Sequence, residues 1–176
     1  SGNFHATVQE YVDEALHYKA LGVPGYKAHP AGPVSFDMQV HQAIRDAVGD
    51  DYILMSDPVA EYTMGDAVAV GRQLEKLNYK WLEEPFRDFE LYKYTELCRT
   101  LDIPIAATET TRGAHWGVAQ TIAQRAADIV RADVSWKDGI TGTLKIAHMA
   151  EGFGMNCEIH TTTMNYMDLV NAHVSC

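Results

Sequence analysis

Asp57, Glu83 and Glu109 stand at a constant interval: Glu83 follows Asp57 by 26 residues, and Glu109 follows Glu83 by 26. Each lies at the end of a short apolar run, "YILMSD", "KWLEE" and "IPIAATE". Such runs read as strands. The interval matches one strand-loop-helix-loop unit of a β/α barrel, from ~250 residues spread over eight units. The three carboxylates therefore occupy equivalent positions on three consecutive strands. Converging acids repel one another unless a cation sits among them. An all-oxygen ligand set selects a hard cation, of which Mg2+ is the usual one. In "WLEEP" the adjacent Glu83 and Glu84 point to opposite faces of a strand. On this reading Glu83 is the inward ligand, and Glu84 supports it or faces the other way. Any one of these acids alone is an ordinary loop-start residue or helix cap; the shared spacing is what makes them a metal site.

The flanking strands add bases. "YKAH" places Lys27 and His29 two apart, so both project to the same side. Asp133 ends "DIVRAD" and His160 ends "MNCEIH", the next two strands after the acids. An aspartate beside a histidine fixes its tautomer and suits it to proton transfer near neutral pH. Read separately, these are loop residues; read in register, they form a candidate dyad.

The elements that must hold these groups alternate. Helical patterns run through "ATVQEYVDEALHYKALG", "FDMQVHQAIRDAVG" (with Ser35 as its expected cap), "MGDAVAVGRQLEKLN", "FELYKYTELCRTLD", "HWGVAQTIAQRAA", "GITGTLKIAHMAEGFG" and "NYMDLVNAHVSC". Between them lie six short apolar strands. Strands alternating with amphipathic helices mean βαβ units and a parallel sheet. A flavodoxin-like or Rossmann sheet would give this pattern, and so would part of a (β/α)8 barrel. No strand is followed by GxGxxG, which a dinucleotide site would want.

Composition narrows the partners. The 176 residues suffice for one domain with a sizeable core. A formal charge of −10 argues against nucleic acid and anionic membranes, which need a basic face. It leaves room for an anionic small substrate, because a metal or a local lysine reverses the field inside a pocket. Cys98, Cys157 and Cys176 form no CxxC pair or disulfide framework, so the expected setting is reducing and cytoplasmic. No apolar run is long enough to cross a bilayer, and the N-terminus lacks a signal-peptide pattern.

Taken together, carboxylates on three successive strands with "WLEEP" on the middle one resemble the barrel domain of the enolase superfamily. The preceding K-x-H and the following Asp and His look like its mandelate racemase subgroup, the mandelate racemase/muconate lactonizing enzyme-like C-terminal barrel domain. "PIAATET" resembles the third metal strand, and "DIVRADVSWKDGITGTLKIAHMAEGFGMNCEIHTT" the dyad region. The resemblance covers nearly the whole chain. It implies a TIM-type (β/α)7β barrel beside an α+β capping domain. It also implies abstraction of a proton α to a carboxylate, giving an enediolate held on Mg2+. By motif position Asp57, Glu83 and Glu109 would be metal ligands. Lys27 would neutralise the substrate carboxylate, and His29 would be a base on one face. His160, oriented by Asp133, would be the acid or base on the other. The chain departs from the pattern at His29, where many members carry Lys, and at Val59 of "DPV", where Asp-x-Asn is common. It also departs in length: residues 1–176 are expected to be a single barrel-domain fragment without the capping domain and lacking the first and last strands.

The leading expectation for function is Mg2+-dependent dehydration of a sugar acid. One alternative is a racemase or epimerase of a 2-hydroxy acid, using His29 and His160 on opposite faces. Another is a truncated, non-catalytic fragment. The expected partner is a small-molecule carboxylate, with homo-oligomer assembly for the full-length protein.

Overall fold

The computed structural model describes residues 2–161 and 166–176. They divide into two compact units, the first Ser1–Arg87 with Arg99–Pro104, the second Asp88–Cys98 with Ile105–Cys176. Each unit carries three parallel strands.

The first unit runs α1 (Val8–Ala20), β1 (Gly25–Ala28), α2 (Val34–Val48), β2 (Ile53–Ser56), α3 (Met64–Lys76) and β3 (Leu82–Glu83). β1 and β2 pair in parallel from Gly25↔Ile53 to Ala28↔Ser56, and β2 meets β3 at Ser56↔Leu82. Parallel strands need a crossover, and the amphipathic helices supply it. Tyr11, Ala15, Val40, Ile44, Val70 and Leu74 of those helices are fully buried, along with Leu54 and Leu82 from the strands. Capping boxes start α1, through Thr7 and Glu10, and α3, through Thr63 and Asp66, because each pair satisfies otherwise orphaned N–H groups. α2 differs from expectation. Its N-cap is Pro33, which has no side-chain donor or acceptor, and Ser35 lies inside the first turn. The nearby Asp37 instead accepts from the Gly32 N–H (3.1 Å) and the Tyr62 hydroxyl (2.8 Å).

The second unit holds the body of α4 (Leu91–Thr100), then β4 (Ile105–Ala107), α5 (Ala114–Ala123), β5 (Ile129–Ala132), α6 (Gly139–Gly152), β6 (Asn156–Ile159) and α7 (Tyr166–Val174). Its strands are again parallel, with Ala106↔Ile129 and Ala107↔Val130 between β4 and β5, and Ile129↔Asn156 to Ala132↔Ile159 between β5 and β6. The expected start of α7 at Asn165 lies outside the described residues. Two glycines let helices press on the loops after β4 and β5. A Cβ on Gly117 would come 2.0 Å from the Arg112 carbonyl oxygen, and one on Gly142 would come 1.7 Å from that of Lys137. Any larger residue would push α5 or α6 off its loop. Among the described residues no helix is long and apolar enough to cross a membrane.

Candidate active site

Asp57, Glu83, Asp133 and His160 lie at or just beyond the C-terminal ends of β2, β3, β5 and β6, the register at which parallel α/β folds do chemistry. Glu109 stands two residues past β4. Thr108 intervenes with φ 87°, a rare conformation for a β-branched residue, and it ends the strand earlier than the run "IPIAATE" suggests. The Thr108 hydroxyl accepts from the Arg131 N–H (2.9 Å) and donates to the Arg131 carbonyl (2.8 Å), which holds this turn against β5. Glu84 (φ 37°), Val59 (φ 54°) and Ala60 (φ 65°) follow the other two acids with the same left-handed backbone. Strain of this kind gathers where surrounding structure imposes a functional geometry.

In the first unit the acids surround a cation. Lys27, buried on β1, donates from Nζ to Asp57 Oδ2 (2.9 Å) and Glu83 Oε1 (2.7 Å). Each carboxylate keeps its other oxygen on a fixed donor: Asp57 Oδ1 accepts from the Val59 N–H (3.1 Å), and Glu83 Oε2 from the Trp81 indole (2.9 Å). His29 Nε2 lies 3.1 Å from Asp57 Oδ2, and its Nδ1 lies 2.9 Å from the Gly2 carbonyl. Both neighbours are acceptors, so satisfying both takes a hydrogen on each ring nitrogen. Burial would raise the Asp57 carboxyl, but the His29 hydrogen bond and the Lys27 charge outweigh it and hold the group well below the usual carboxylate range.

In the second unit Asp133 is fully buried. Its Oδ2 lies 3.0 Å from His160 Nδ1, and its Oδ1 accepts from the Ser135 N–H (2.7 Å). Burial would raise this carboxyl too. The Ser135 N–H, the neighbouring Asn171 side chain and His160 prevail and keep it ionised below its ordinary value. The indole of Trp136 stacks on His160 with centroids 5.0 Å apart and 24° between planes. His160 Nε2 lies 3.3 Å from Glu109 Oε2, which is also 3.2 Å from Arg131 Nε.

The structure thus brings Lys27, His29, Asp57 and Glu83 together in one unit, and Glu109, Asp133 and His160 in the other. Sequence reasoning missed Trp81, Arg131 and Trp136. Two of them had a signal, since Trp81 and Arg131 each precede an acid by two residues and share its strand face. Within each unit, among the described residues, no three His, Cys, Asp or Glu side chains form a closed metal cage. The donor chemistry nevertheless fits a hard cation: two buried carboxylates present one oxygen each to a single positive charge.

Residues 10–176 match the family model described as Enolase C-terminal domain-like. Arabinonate dehydratase of Saccharolobus solfataricus is 34% identical over 164 residues, covering 93% of this chain and 44% of that protein. The magnesium complex of D-glucarate dehydratase from Agrobacterium tumefaciens superposes with a TM-score of 0.85 at 39% identity, over 96% of this chain and 45% of that one. L-talarate dehydratase from Polaromonas sp. JS666, complexed with Mg and L-glucarate, gives a TM-score of 0.86 at 28% identity, over 96% and 47%. The chain spans less than half the length of the curated relatives it matches. The fold class is that of the TIM-type barrel domain of these enzymes.

Proposed function

Because the chain belongs to the Enolase C-terminal domain-like family, we propose that it carries the catalytic residues of a Mg2+-dependent sugar-acid dehydratase. The observation that supports this most directly is the Asp133–His160 pair, 3.0 Å apart with the carboxylate buried and ionised. Asp133 holds the hydrogen on Nδ1, and Nε2, 3.3 Å from Glu109 Oε2, is proposed as the nitrogen that exchanges a proton with a substrate. In a dehydration the C2 proton of the sugar acid leaves to a base, and a protonated imidazole gives its proton to the departing 3-hydroxyl as water. The resulting enol becomes a 2-keto-3-deoxy acid. His160 can take either part. His29 Nε2 rests on Asp57 Oδ2 and His160 Nε2 on Glu109 Oε2, so either imidazole must release a carboxylate before it acts. His160 is proposed for the proton transfers because Asp133 fixes its other nitrogen.

Asp57 and Glu83 are proposed as metal ligands. Glu109, at the matching register of the following β/α unit, is proposed as the third. When bound, Mg2+ supplies positive charge that offsets the negative charge developing on the substrate carboxylate as the α-proton departs. Lys27 is proposed to neutralise that same carboxylate. Homo-oligomeric assembly also belongs to the proposal, and light scattering would test it.

The deciding experiment is a screen of acid sugars, starting with arabinonate, talarate, galactarate and glucarate, in Mg2+. A dehydratase gives a semicarbazide-reactive keto product that disappears in His160→Asn. An epimer without keto product would select the racemase alternative. No turnover of any acid sugar would leave the dehydratase reading without support.

A further inference from the structure

Lys27 is 7% exposed, and its ammonium touches one oxygen of each of two buried acids. The opposite oxygens, Asp57 Oδ1 and Glu83 Oε2, are tied to the Val59 N–H and the Trp81 indole. The carboxylates are therefore aimed at a cation by the backbone and by Trp81, independently of Lys27. Their inward oxygens would keep the same direction if the lysine moved. The lysine itself is movable: its Cα is pinned in the β1–β2 ladder at Lys27↔Met55, but its four-carbon stem has freely rotating bonds. A divalent ion held by Asp57 and Glu83 would need the space beside their inward oxygens that Nζ fills, and two cations cannot share it.

We propose that Lys27 is an exchangeable resident cation. Its ammonium neutralises Asp57 and Glu83, and a divalent cation entering between them turns it out as a free ammonium for an anionic ligand. The inference rests on the reading of Asp57 and Glu83 as metal ligands. It adds that Lys27 competes with the metal, and that metal binding is what frees Lys27 for a carboxylate. Metal and carboxylate ligand are then coupled through one side chain, each favouring the other.

Mn2+ titration of the metal-stripped full chain, by electron paramagnetic resonance, tests this without activity. Lys27→Met and Lys27→Gln remove the competitor. Each should bind Mn2+ about tenfold or more tightly than the wild type when no carboxylate ligand is present. Mn2+ affinity that is unchanged or weaker in both variants overturns the exchange while leaving the metal reading in place. Failure of Lys27→Gln to bind Mn2+ at all overturns both. If neither variant folds, the wild type decides. With 13C-labelled lysine, the Lys27 Cε resonance should move on saturation with Mg2+, and a resonance unmoved at saturation overturns the proposal.

Discussion

Glu83 divides its two oxygens between different partners, Lys27 Nζ and the Trp81 indole. Trp81 is the partner that fixes orientation. Trp81→Phe keeps the ring and removes the N–H that Glu83 Oε2 accepts from in the fully buried site. It should cost about 1–3 kcal/mol in urea unfolding and weaken Mn2+ binding by about 10–100-fold, the usual effect of losing a group that orients a ligand. Unaltered Mn2+ affinity in that variant would show that Glu83 holds its position unaided. Asp133→Asn should preserve the fold, since the Ser135 N–H keeps an oxygen acceptor, but lower turnover by about 10²–10⁴-fold through loss of the imidazole's tautomer and charge partner. Full turnover in this variant would remove the dyad from the mechanism. His41 gives a pH signature. It is fully buried with Nε2 2.8 Å from the Ser56 hydroxyl, and burial pushes its pKa down to about 3. The unfolded chain takes up this proton below about pH 6.5, whereas the folded chain does so only near 3. Stability must therefore fall as pH falls through that window, by up to about 1.4 kcal/mol per unit. Unfolding free energies from pH 7 to 4 should show this slope, and His41→Gln should flatten it by the same amount.

At the level of elements, Arg45 is the clearest joint. From α2 its guanidinium donates to Gly49 O (2.6 Å), Tyr52 O (2.9 Å), Leu77 O (2.8 Å) and Asn78 O (3.0 Å). These carbonyls lie just beyond the ends of α2 and α3, where unsatisfied acceptors and the negative end of the helix dipole favour a cation. The side chain thus fastens two helix ends to the segments leading into β2 and β3, the strands that present Asp57 and Glu83. Arg45→Met has about the right bulk but no donors, and should destabilise the protein by about 3 kcal/mol or more. Arg45→Lys should recover little, because one ammonium cannot match the fork. Urea denaturation of both variants measures this, and a loss below about 1 kcal/mol in Arg45→Met would mean that water replaces the guanidinium.

At the level of the whole molecule the charge of −10 is compatible with an anionic substrate only where cations reverse it locally. A divalent ion that binds the folded chain and not the unfolded one stabilises by mass action, about 2.7 kcal/mol at 100 times its dissociation constant. For a chain of this size that is a rise of about 5–10 °C in melting temperature. Calorimetry after EDTA dialysis should show the rise with Mg2+ and not with K+, and Glu83→Gln should lose most of it. A melting temperature indifferent to saturating Mg2+ would sink the metal assignment.

The order of strands and helices was legible in the sequence because it depends on local periodicity, and so was the register of Asp57, Glu83, Asp133 and His160 at strand ends. The family was legible for the same reason, since its motif is a spacing. The helix start at Pro33 was not, because Ser35 offers a hydroxyl that competes with a rigid φ already suited to a first turn. Thr108 was read as strand, and its left-handed turn is imposed by two hydrogen bonds from a residue 23 positions away. Only the tertiary structure could place Lys27 against Asp57 and Glu83, 30 and 56 residues distant, or lay Arg45 over the ends of two helices. Partner choice for a buried charge is decided by which acceptors the chain brings within about 3 Å, and periodicity carries no information on that distance.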